Sequence, residues 1–347
     1  MVMNGNRFSR RSFLSGSTAL AGGLAAGGLL GFSGTANAAG KTAVTMQTGG
    51  LLSSLQIGEV VAKQLGYFDA EGIDFTLQAG GPNNDGVTTV ASGKAAVGQV
   101  SSSPSLMLAV SQQIPIKCFA IGGQEHTYGY FSLAKNPVRT PHDLIGKTVG
   151  TQGTGQILLK AMLAKNNINP DDVKVFIMSW DMTPILTGQV DVVTASVANV
   201  SQLKPLGEDR VFMRLWDTGV KLYTNPYYAT LDNIANNRPL LEAFLRAASK
   251  GWGYAYDNPA KAVDLLIKEY PTMVHDDELA AMAAVKPYMY NANTKQKGWG
   301  TMDPAIWQSQ IEMWSSLKQF ARQAPKVEDC LTLDILNATA DSRAKIG

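Results

Sequence analysis

The apolar and polar positions of residues 59–81 predict a helix followed by a strand. Apolar residues fall at helical spacing up to Leu65, and Gly66 then supplies the left-handed conformation that ends a helix. Over 73–78 apolar residues alternate with polar ones, which is typical of a half-buried strand. This stretch predicts one half of an α/β repeat, around which the rest of the chain is organised.

The residues on either side predict further strands and helices in alternation. A strand at 43–47 precedes the helix, and a short apolar strand at 95–100 follows later. Pro104 suits the first position of a helix that runs to Gln112, and a strand over 116–121 comes next. Such crossovers imply a mostly parallel sheet, whose loops at the carboxyl ends of the strands form a ligand crevice.

A second α/β unit begins after the proline-bearing link at 136–143. The same patterns predict that the chain runs back to the first unit near 227–231 and that its remainder is mostly helical. Strands are predicted at 131–134, 147–150, 173–178, 192–195 and 211–215, and helices at 156–166, 239–256, 259–269, 276–288 and 304–322.

Composition and charge exclude several classes of protein. A chain of 347 residues, 45% hydrophobic and 17% charged, is globular and long enough for two domains. The formal charge of +2 comes from Arg7, Arg10 and Arg11, and the remainder carries 27 basic against 28 acidic residues, so no nucleic-acid surface is expected. Cys118 and Cys330 are too few for a disulfide scaffold, a zinc site or haem attachment, and whether they pair stays open.

Residues 1–38 have the features of an export signal. Arg10 and Arg11 stand in a twin-arginine consensus, a weakly apolar run rich in glycine and alanine follows, and Ala36–Ala38 offers small residues for a signal peptidase. The glycine content makes this run a poor membrane span, and no second apolar stretch of about 20 residues follows. We therefore expect a soluble periplasmic or extracytoplasmic protein that the twin-arginine translocase exports already folded.

Three strings, taken with their order and spacing, resemble one family of transport receptors. They are LGYFDAEGID at 65–74, TPHDLIGKTVG at 140–150 and LTGQVDV at 186–192. These strings are similar to those of solute-binding proteins that feed ABC importers, in the nitrate/sulfonate/taurine and thiamine-pyrimidine-precursor family. The resemblance covers roughly residues 41–270.

The resemblance implies the type II periplasmic-binding-protein fold, an α/β fold of two lobes joined by two crossing segments. Lobe I would comprise residues 41–131 plus 230–347, including the C-terminal helices, and lobe II would comprise residues 135–226. The crossings are expected near Phe131–Lys135 and Tyr227–Leu231.

Loops at the predicted strand ends supply candidate ligand contacts. Ser101–Ser103 offers hydroxyls and free N–H groups at a helix start, although a plain helix cap would use the same residues. Thr151–Gly155 lies where the resemblance places ligand contacts in the second lobe. Trp180 beside Asp181 suits a flat, amino-bearing ring, while a tryptophan packed under the hinge is the alternative. His126 is near the presumed cleft, although a solvated loop histidine would fit the same position. The full set of candidate ligand contacts is Leu51, Ser53, Ser101, Ser102, Ser103, His126, Thr151, Thr154, Trp180, Asp181, Ser196, Tyr223 and Tyr227.

The cleft loops contain more acidic than basic side chains, which bears on the ligand. A receptor for nitrate or a sulfonate needs positive charge or many donors to replace the water that the anion loses, and acids oppose this. We therefore expect an aromatic nitrogen heterocycle, such as a thiamine pyrimidine precursor, with a sulfonate- or nitrate-type anion as the alternative. The acids are Asp85, Glu125, Asp181 and Asp217, and the basic side chains are His126 and Lys221.

The expected function is that of a receptor without enzymatic activity. It would close two lobes over a small solute and deliver it to a membrane permease driven by a cytoplasmic ATPase. We expect a monomer without a cofactor, metal or nucleic-acid partner. An exported pyrimidine-related enzyme and a sensor domain for a membrane kinase are the alternatives from other classes.

Overall fold

The computed structural model describes residues 40–81 and 86–347. The export signal predicted at 1–38 lies outside the described residues, and so does Asp85. Within the described part of the chain, no helix is both long and apolar enough to cross a membrane.

Ten strands of the described residues form two five-stranded sheets. In chain order the strands are β1 (Thr42–Thr48), β2 (Ile73–Gln78), β3 (Val97–Gln99), β4 (Ile116–Gly123), β5 (Tyr128–Ser132), β6 (Thr148–Thr151), β7 (Lys174–Ile177), β8 (Val192–Ser196), β9 (Val211–Arg214) and β10 (Thr224–Thr230).

Helices connect these strands and make up most of the chain after β10. They are α1 (Ile57–Gln64), α2 (Tyr67–Ala70), α3 (Gly86–Ala91), α4 (Ser103–Ser111), α5 (Gln156–Lys165), α6 (Thr183–Leu186), α7 (Val200–Leu203), α8 (Leu231–Asn236), α9 (Arg238–Asp257), α10 (Pro259–Glu269), α11 (His275–Met289), α12 (Ala292–Lys297), α13 (Pro304–Ser316), α14 (Val327–Cys330) and α15 (Asp334–Ala338).

The first sheet has the strand order β2–β1–β3–β10–β4. Strands β1, β2 and β3 pair in parallel, whereas β10 lies antiparallel between β3 and β4. The alternation in β2 buries Ile73 and Phe75, as the sequence predicted. Phe75 stacks on Phe68 with ring centroids 4.0 Å apart, and Phe68 lies 5.6 Å from Phe244 of α9. The first sheet is therefore held to the C-terminal helices by an aromatic core.

The second sheet is formed from one continuous part of the chain, residues 128–214. Its order is β7–β6–β8–β5–β9, with β6 parallel to β7 and β8, and β5 antiparallel to β8 and β9. Strand β7 lies at the edge and leaves Val175 and Ile177 about half exposed. Two separate α/β layers thus appear in the order that the sequence predicted.

The chain passes between the sheets at residues 124–127 and again at 215–223. Both crossings come several residues earlier than predicted. Phe131 is a buried residue of β5, paired with Val193 and Phe212 in the second sheet. Tyr227 is a buried residue of β10, paired with Gln99 in the first sheet. Each of these residues is held inside a sheet by ladder hydrogen bonds, so neither belongs to a crossing.

Helices α1 and α9 approach closely because glycines lie at their contact. A Cβ on Gly58 would lie 2.2 Å from the Trp252 ring, and a Cβ on Gly251 would lie 2.0 Å from the Gly58 carbonyl oxygen. Larger residues would therefore push the helices apart. The contact keeps Trp252 completely buried beside Glu59, which is also completely buried.

Both cysteines are buried free thiols in the structure. Burial raises the pKa of Cys118, and it raises the pKa of Cys330 to about 12. Both groups therefore stay protonated and behave as small apolar side chains.

Candidate ligand-binding site between the two sheets

Loops from both sheets reach the crossing at 124–127. In the first sheet β1 and β3 are parallel neighbours that end at Thr48 and Gln99. In the second sheet β6 and β8 are also parallel neighbours, and they end at Thr151 and Ser196. The loops after the two members of each pair therefore open at one edge of their sheet, where ligands of α/β proteins bind.

His126 lies in this crossing and connects it to the first sheet. Its side chain is only 8% exposed, and its ring makes a hydrogen bond with the backbone of Ser101, in the loop after β3. Burial lowers the pKa of His126 to about 4 despite this hydrogen bond, so the imidazole is neutral at pH 7. Nδ1 has no hydrogen-bond partner among the described residues. The alternative of a solvated loop histidine is therefore wrong.

Three hydroxyl groups connect the crossing to the second sheet. Tyr128 has its ring centroid 6.0 Å from that of His126, and its hydroxyl lies 3.4 Å from Thr151 Oγ1. Thr194 Oγ1 donates to Thr151 Oγ1 at 2.7 Å. A Cβ on Gly155 would lie 2.3 Å from the oxygens of both Tyr128 and Thr151, so this turn requires glycine. The predicted contact Thr151 thus lies at the site, but its hydroxyl is already bonded within the protein.

Gln152 is a candidate that the sequence reasoning missed. It follows Thr151 directly and is 9% exposed. Neither Oε1 nor Nε2 of its amide has a hydrogen-bond partner among the described residues. Its signal in the sequence is its place inside the predicted loop 151–155, in which Thr151 and Thr154 are the predicted contacts. The side chain of Thr154, one of those threonines, lies outside what the structure describes.

Ser196 lies where the two parts of the molecule meet. Its Oγ is 2.8 Å from Thr127 Oγ1 and accepts a hydrogen bond from Ala198 N at 3.1 Å. Val197 and Ala198, which follow, pack against the core of the first sheet. The hydroxyl of Ser196 is therefore already bonded to neighbouring groups, and its contact with a ligand stays a prediction.

Two predicted contacts, Ser103 and Tyr223, have side-chain hydroxyls that form hydrogen bonds within the protein. Ser103 Oγ donates to Gln310 Oε1 at 2.5 Å and accepts from Tyr223 N at 3.2 Å, and the side chain is completely buried. The Tyr223 hydroxyl accepts from Asp303 N at 2.9 Å, and its ring lies 6.3 Å from that of Trp307. Both residues fasten the start of α4 and the second crossing to α13. Their contact with a ligand stays a prediction.

The hydroxyl of Tyr227, another predicted ligand contact, is bonded inside the core of the first sheet, and its contact with a ligand stays a prediction. Its hydroxyl donates to Glu59 Oε1, which accepts a second hydrogen bond from Trp252 Nε1 at 3.2 Å. All three residues are completely buried in the core of the first sheet. Burial raises the pKa of Glu59 to about 7, against the effect of these hydrogen bonds. The tyrosine therefore solvates a buried carboxyl group.

The remaining candidates of the first sheet lie on its loops with different degrees of exposure. Leu51 is 80% exposed, and Ser53 caps the turn 54–56 by accepting from Leu55 N at 3.2 Å. Ser102 stands at the N-cap of α4, but its side chain does not cap the helix, so the helix-cap alternative fails for this residue. Ser101 is exposed beside His126. Contact of Ser101 and Ser102 with a ligand stays a prediction.

Trp180 and Asp181 follow β7, whose end at Ile177 lies opposite Thr151 in the register. Trp180 is 48% exposed, so the alternative of a tryptophan packed under the hinge is wrong. Asp181 is exposed, and its Oδ1 accepts from Thr183 N at 3.0 Å. This hydrogen bond lowers the pKa of Asp181. Trp180 stays a prediction as a ligand platform, whereas Asp181 has a local structural use.

The charge balance of the cleft differs from the one predicted. Arg214, at the end of β9, forms an ion pair with Glu125 and lies over the Tyr288 ring at 4.6 Å. Burial raises the pKa of Glu125, and the nearby Arg214 opposes this. The count of loop charges omitted Arg214 because it stands in a strand. Glu125 is therefore a neutralised group and carries little weight against an anionic ligand.

Helix α11 touches both sides of the site with its acidic first turn. Asp277 accepts hydrogen bonds from Ser201 Oγ and Lys204 Nζ, on the second-sheet side. Glu278 Oε2 accepts from Ser54 N at 2.8 Å, on the first-sheet side. This turn holds the two sides together in the structure.

Comparison with known proteins places this chain in a family. Residues 55–262 match the family model described as NMT1/THI5 like, which is more than half of the chain. This chain belongs to the NMT1/THI5-like family.

Relatives of this NMT1/THI5-like protein carry names of two kinds. The formylaminopyrimidine-binding protein of Halalkalibacterium halodurans is 26% identical over 288 residues, 78% of this chain and 84% of that one. The riboflavin-binding protein RibY of Chloroflexus aurantiacus is 26% identical over 71% of this chain and 73% of its own. The 4-amino-5-hydroxymethyl-2-methylpyrimidine phosphate synthase of Legionella pneumophila is 22% identical over 62% of this chain and 69% of its own.

Among solved structures, the periplasmic aliphatic sulphonate binding protein SsuA of Escherichia coli superposes with a TM-score of 0.64. It is 15% identical and matches 83% of this chain and 91% of that one. The likeness confirms the predicted periplasmic-binding-protein fold.

Proposed function

We propose that this protein is the extracytoplasmic solute-binding receptor of an ABC importer. Its two sheets are joined by two crossings, and loops from both sheets reach His126 and Thr127. A solute bound there would touch both lobes and would favour the closed state by its higher affinity for that state. The receptor acts as a monomer and delivers its solute to a permease with an attached ATPase.

We also propose that the chain leaves the cytoplasm by the twin-arginine route and acts as a soluble protein. Arg10 and Arg11 supply the paired guanidinium groups, and Ala36–Ala38 the small residues for cleavage. The lobe limits expected at 41–131, 135–226 and 230–347 then move with the crossings, so that lobe I comprises residues 41–123 plus 224–347 and lobe II residues 128–214.

The favoured ligand is an aromatic nitrogen heterocycle such as a thiamine pyrimidine precursor. One observation carries this choice, namely that His126 and Gln152, which have unpartnered buried polar atoms around the crossing, are neutral groups. Arg214 also has an unpartnered buried atom there, Nε, but its charge is balanced. Arg214 is paired with Glu125, so it brings no uncompensated positive charge. A buried anion would lose its water without a cation in return, whereas a heterocycle with donors and acceptors needs only hydrogen bonds. Two relatives with names of heterocycle-binding proteins support the same choice.

Calorimetry on the purified mature protein tests this proposal. The panel contains aminopyrimidines, riboflavin, an alkanesulfonate and nitrate, with melting temperature and solution scattering measured on each mixture. We expect a heterocycle to bind, to raise the melting temperature by mass action and to make the protein more compact. If the alkanesulfonate or nitrate binds tightly and no heterocycle of the panel binds, the proposed ligand class is wrong. Tight binding with an unchanged scattering profile would contradict closure.

The second candidate is an enzyme of pyrimidine metabolism, because one relative has a synthase name. We favour binding without turnover, since the relatives with higher identity are named as binding proteins. Ligand recovered after long incubation with the protein is expected to be chemically unchanged by mass spectrometry. A product that accumulates in proportion to protein concentration would favour the enzyme.

A further inference from the structure

We propose that Gln152 determines which ligands this receptor accepts, by pairing its amide with a ligand edge that carries a hydrogen-bond donor beside an acceptor. The inference rests on the proposed function, because it requires a ligand between the two sheets. Gln152 stands immediately after β6, at the start of the turn Gly153–Gly155 that leads into α5. Parallel strands β6, β7 and β8 all end at this edge of the second sheet.

The amide of Gln152 is buried and forms no hydrogen bond with the part of the chain that the structure describes. The residue precedes the turn, yet its side chain makes no capping hydrogen bond. Its backbone carbonyl accepts from Gly155 N at 2.9 Å, so the main chain already holds the turn. The side chain is 9% exposed, and both amide atoms lack partners among the described residues. Buried polar groups in native proteins nearly always have a partner, so the partner of this amide is a molecule from outside the chain.

The polar groups around Gln152 are already bonded to one another. Thr151 Oγ1 accepts from Thr194 Oγ1 at 2.7 Å and lies 3.4 Å from the Tyr128 hydroxyl. The close approach of Gly155 to these oxygens fixes the turn in place. The neighbours thus hold the backbone of Gln152 without consuming its amide, which is the arrangement expected of a preorganised ligand contact.

The chemistry of the amide defines the ligand class. A glutamine side chain presents one acceptor oxygen and one NH₂ donor in a single plane. This pair matches an exocyclic amine next to a ring nitrogen, in the same way that glutamine pairs with adenine in nucleic-acid recognition. Nitrate and sulfonate anions offer only acceptors and would leave the amide oxygen unpaired. Gln152 therefore favours a heterocycle with an amine beside a ring nitrogen, as in a 4-aminopyrimidine.

Binding of two probe molecules, each measured with wild type and with Gln152 variants, tests this assignment. The two probes are 4-amino-2-methylpyrimidine and 2-methylpyrimidine, which lacks the amine. Wild type is expected to bind the amine-bearing probe on the order of tenfold more tightly in calorimetry. Gln152→Met is expected to remove this preference. Gln152→Glu keeps the size of the side chain but replaces the NH₂ donor by an acceptor and adds a negative charge, so it is expected to weaken binding of the amine-bearing probe at a pH where that probe is neutral. Gln189→Met is the matched control, because Gln189 is exposed in the same part of the chain and should keep the wild-type ratio.

The melting temperature without ligand gives a second readout. Gln152→Met removes a buried amide that has no partner, so the ligand-free variant is expected to melt at or above the wild-type temperature. A lower melting temperature with an unchanged probe ratio would mean that an internal water is the partner, and it would overturn the assignment. An unchanged probe ratio in both Gln152 variants would overturn this inference alone. A wild type that binds neither pyrimidine but binds an alkanesulfonate would overturn the proposed ligand and this inference together.

Discussion

Replacing Glu59 by glutamine is expected to change how the stability of this protein depends on pH. Glu59 is completely buried in α1, where its Oε1 accepts from Tyr227 and Trp252. Its Oε2 has no partner in the described part of the chain. Burial is the largest effect on the group and raises its pKa in the folded protein from 4.5 to about 7. Glutamine has nearly the same shape and does not ionise.

The sign of the effect follows from the direction of the shift. The folded pKa of Glu59 is raised, so its contribution to stability is fully present below pH 4.5 and is lost as the pH rises through about 7. A shift of this size corresponds to about 3 kcal/mol in the free energy of unfolding. His126 acts in the opposite direction, because its pKa is lowered from 6.5 to about 4. Its contribution is present above pH 6.5 and is lost as the pH falls through about 4.

Between pH 4.5 and 6.5 these two groups change the free energy of unfolding in opposite directions. Their effects therefore cancel in the wild-type protein. Glu59→Gln exposes the effect of His126, and its free energy of unfolding should rise by about 1.4 kcal/mol per pH unit in this range relative to wild type. Urea unfolding at several values between about pH 5 and 8 measures it. Glu242→Gln is the control, since Glu242 forms a helix-surface pair with Arg238 and should follow wild type. If the free energies of unfolding of wild type and Glu59→Gln change in parallel with pH, Glu59 does not have a raised pKa in the folded protein.

Three further changes test export, the contact between the lobes and the ligand contacts. Replacing Arg10 and Arg11 together by lysine should leave the precursor in the cytoplasm on cell fractionation, and normal export of that variant would contradict the twin-arginine route. Asp277→Asn weakens the contact with Lys204, so scattering of the ligand-free protein should show a larger radius than wild type. An unchanged radius would mean that this ion pair does not hold the lobes. Asp181→Asn should change ligand affinity by less than about twofold in calorimetry, because this exposed carboxylate is bonded locally, and a tenfold loss would restore it as a ligand contact.

The fold could largely be predicted from local patterns, whereas the crossings could not. The alternation over 73–78 gave the limits of β2, and helix α11 differs from its prediction by one residue at each end. A local pattern does not reveal which sheet a strand joins. Phe131 and Tyr227 have the apolar surroundings of strands, but only their pairing partners in distant parts of the chain assign them to the second and the first sheet.

The sequence could not show where a distant residue forms a hydrogen bond with the side chain of a candidate site residue. Tyr223 and Tyr227 bracket a presumed crossing, which made them candidates. The Tyr223 hydroxyl accepts a hydrogen bond from Asp303 N, and the Tyr227 hydroxyl donates one to Glu59 Oε1. Both partners are far away in the sequence. Gln152 is the opposite case, because its significance lies in having no partner among the described residues. Neither kind of information exists before the chain is folded.

The antiparallel strand β10 has a consequence for the order in which the protein can fold. It separates β4 from β3, and among the described strands β10 is the one that pairs with β4, which otherwise makes only isolated bridges with Gly300 and Leu331. Residues 224–230 must therefore leave the ribosome before the strand order of this sheet is complete, although its other four strands end at Gly123. The second sheet needs only residues 128–214 and can form first. Strands β1 to β4, in about the first third of the chain, therefore cannot complete their sheet until after the second sheet has been synthesised. A truncation before Thr224 would leave β4 as an open, aggregation-prone edge.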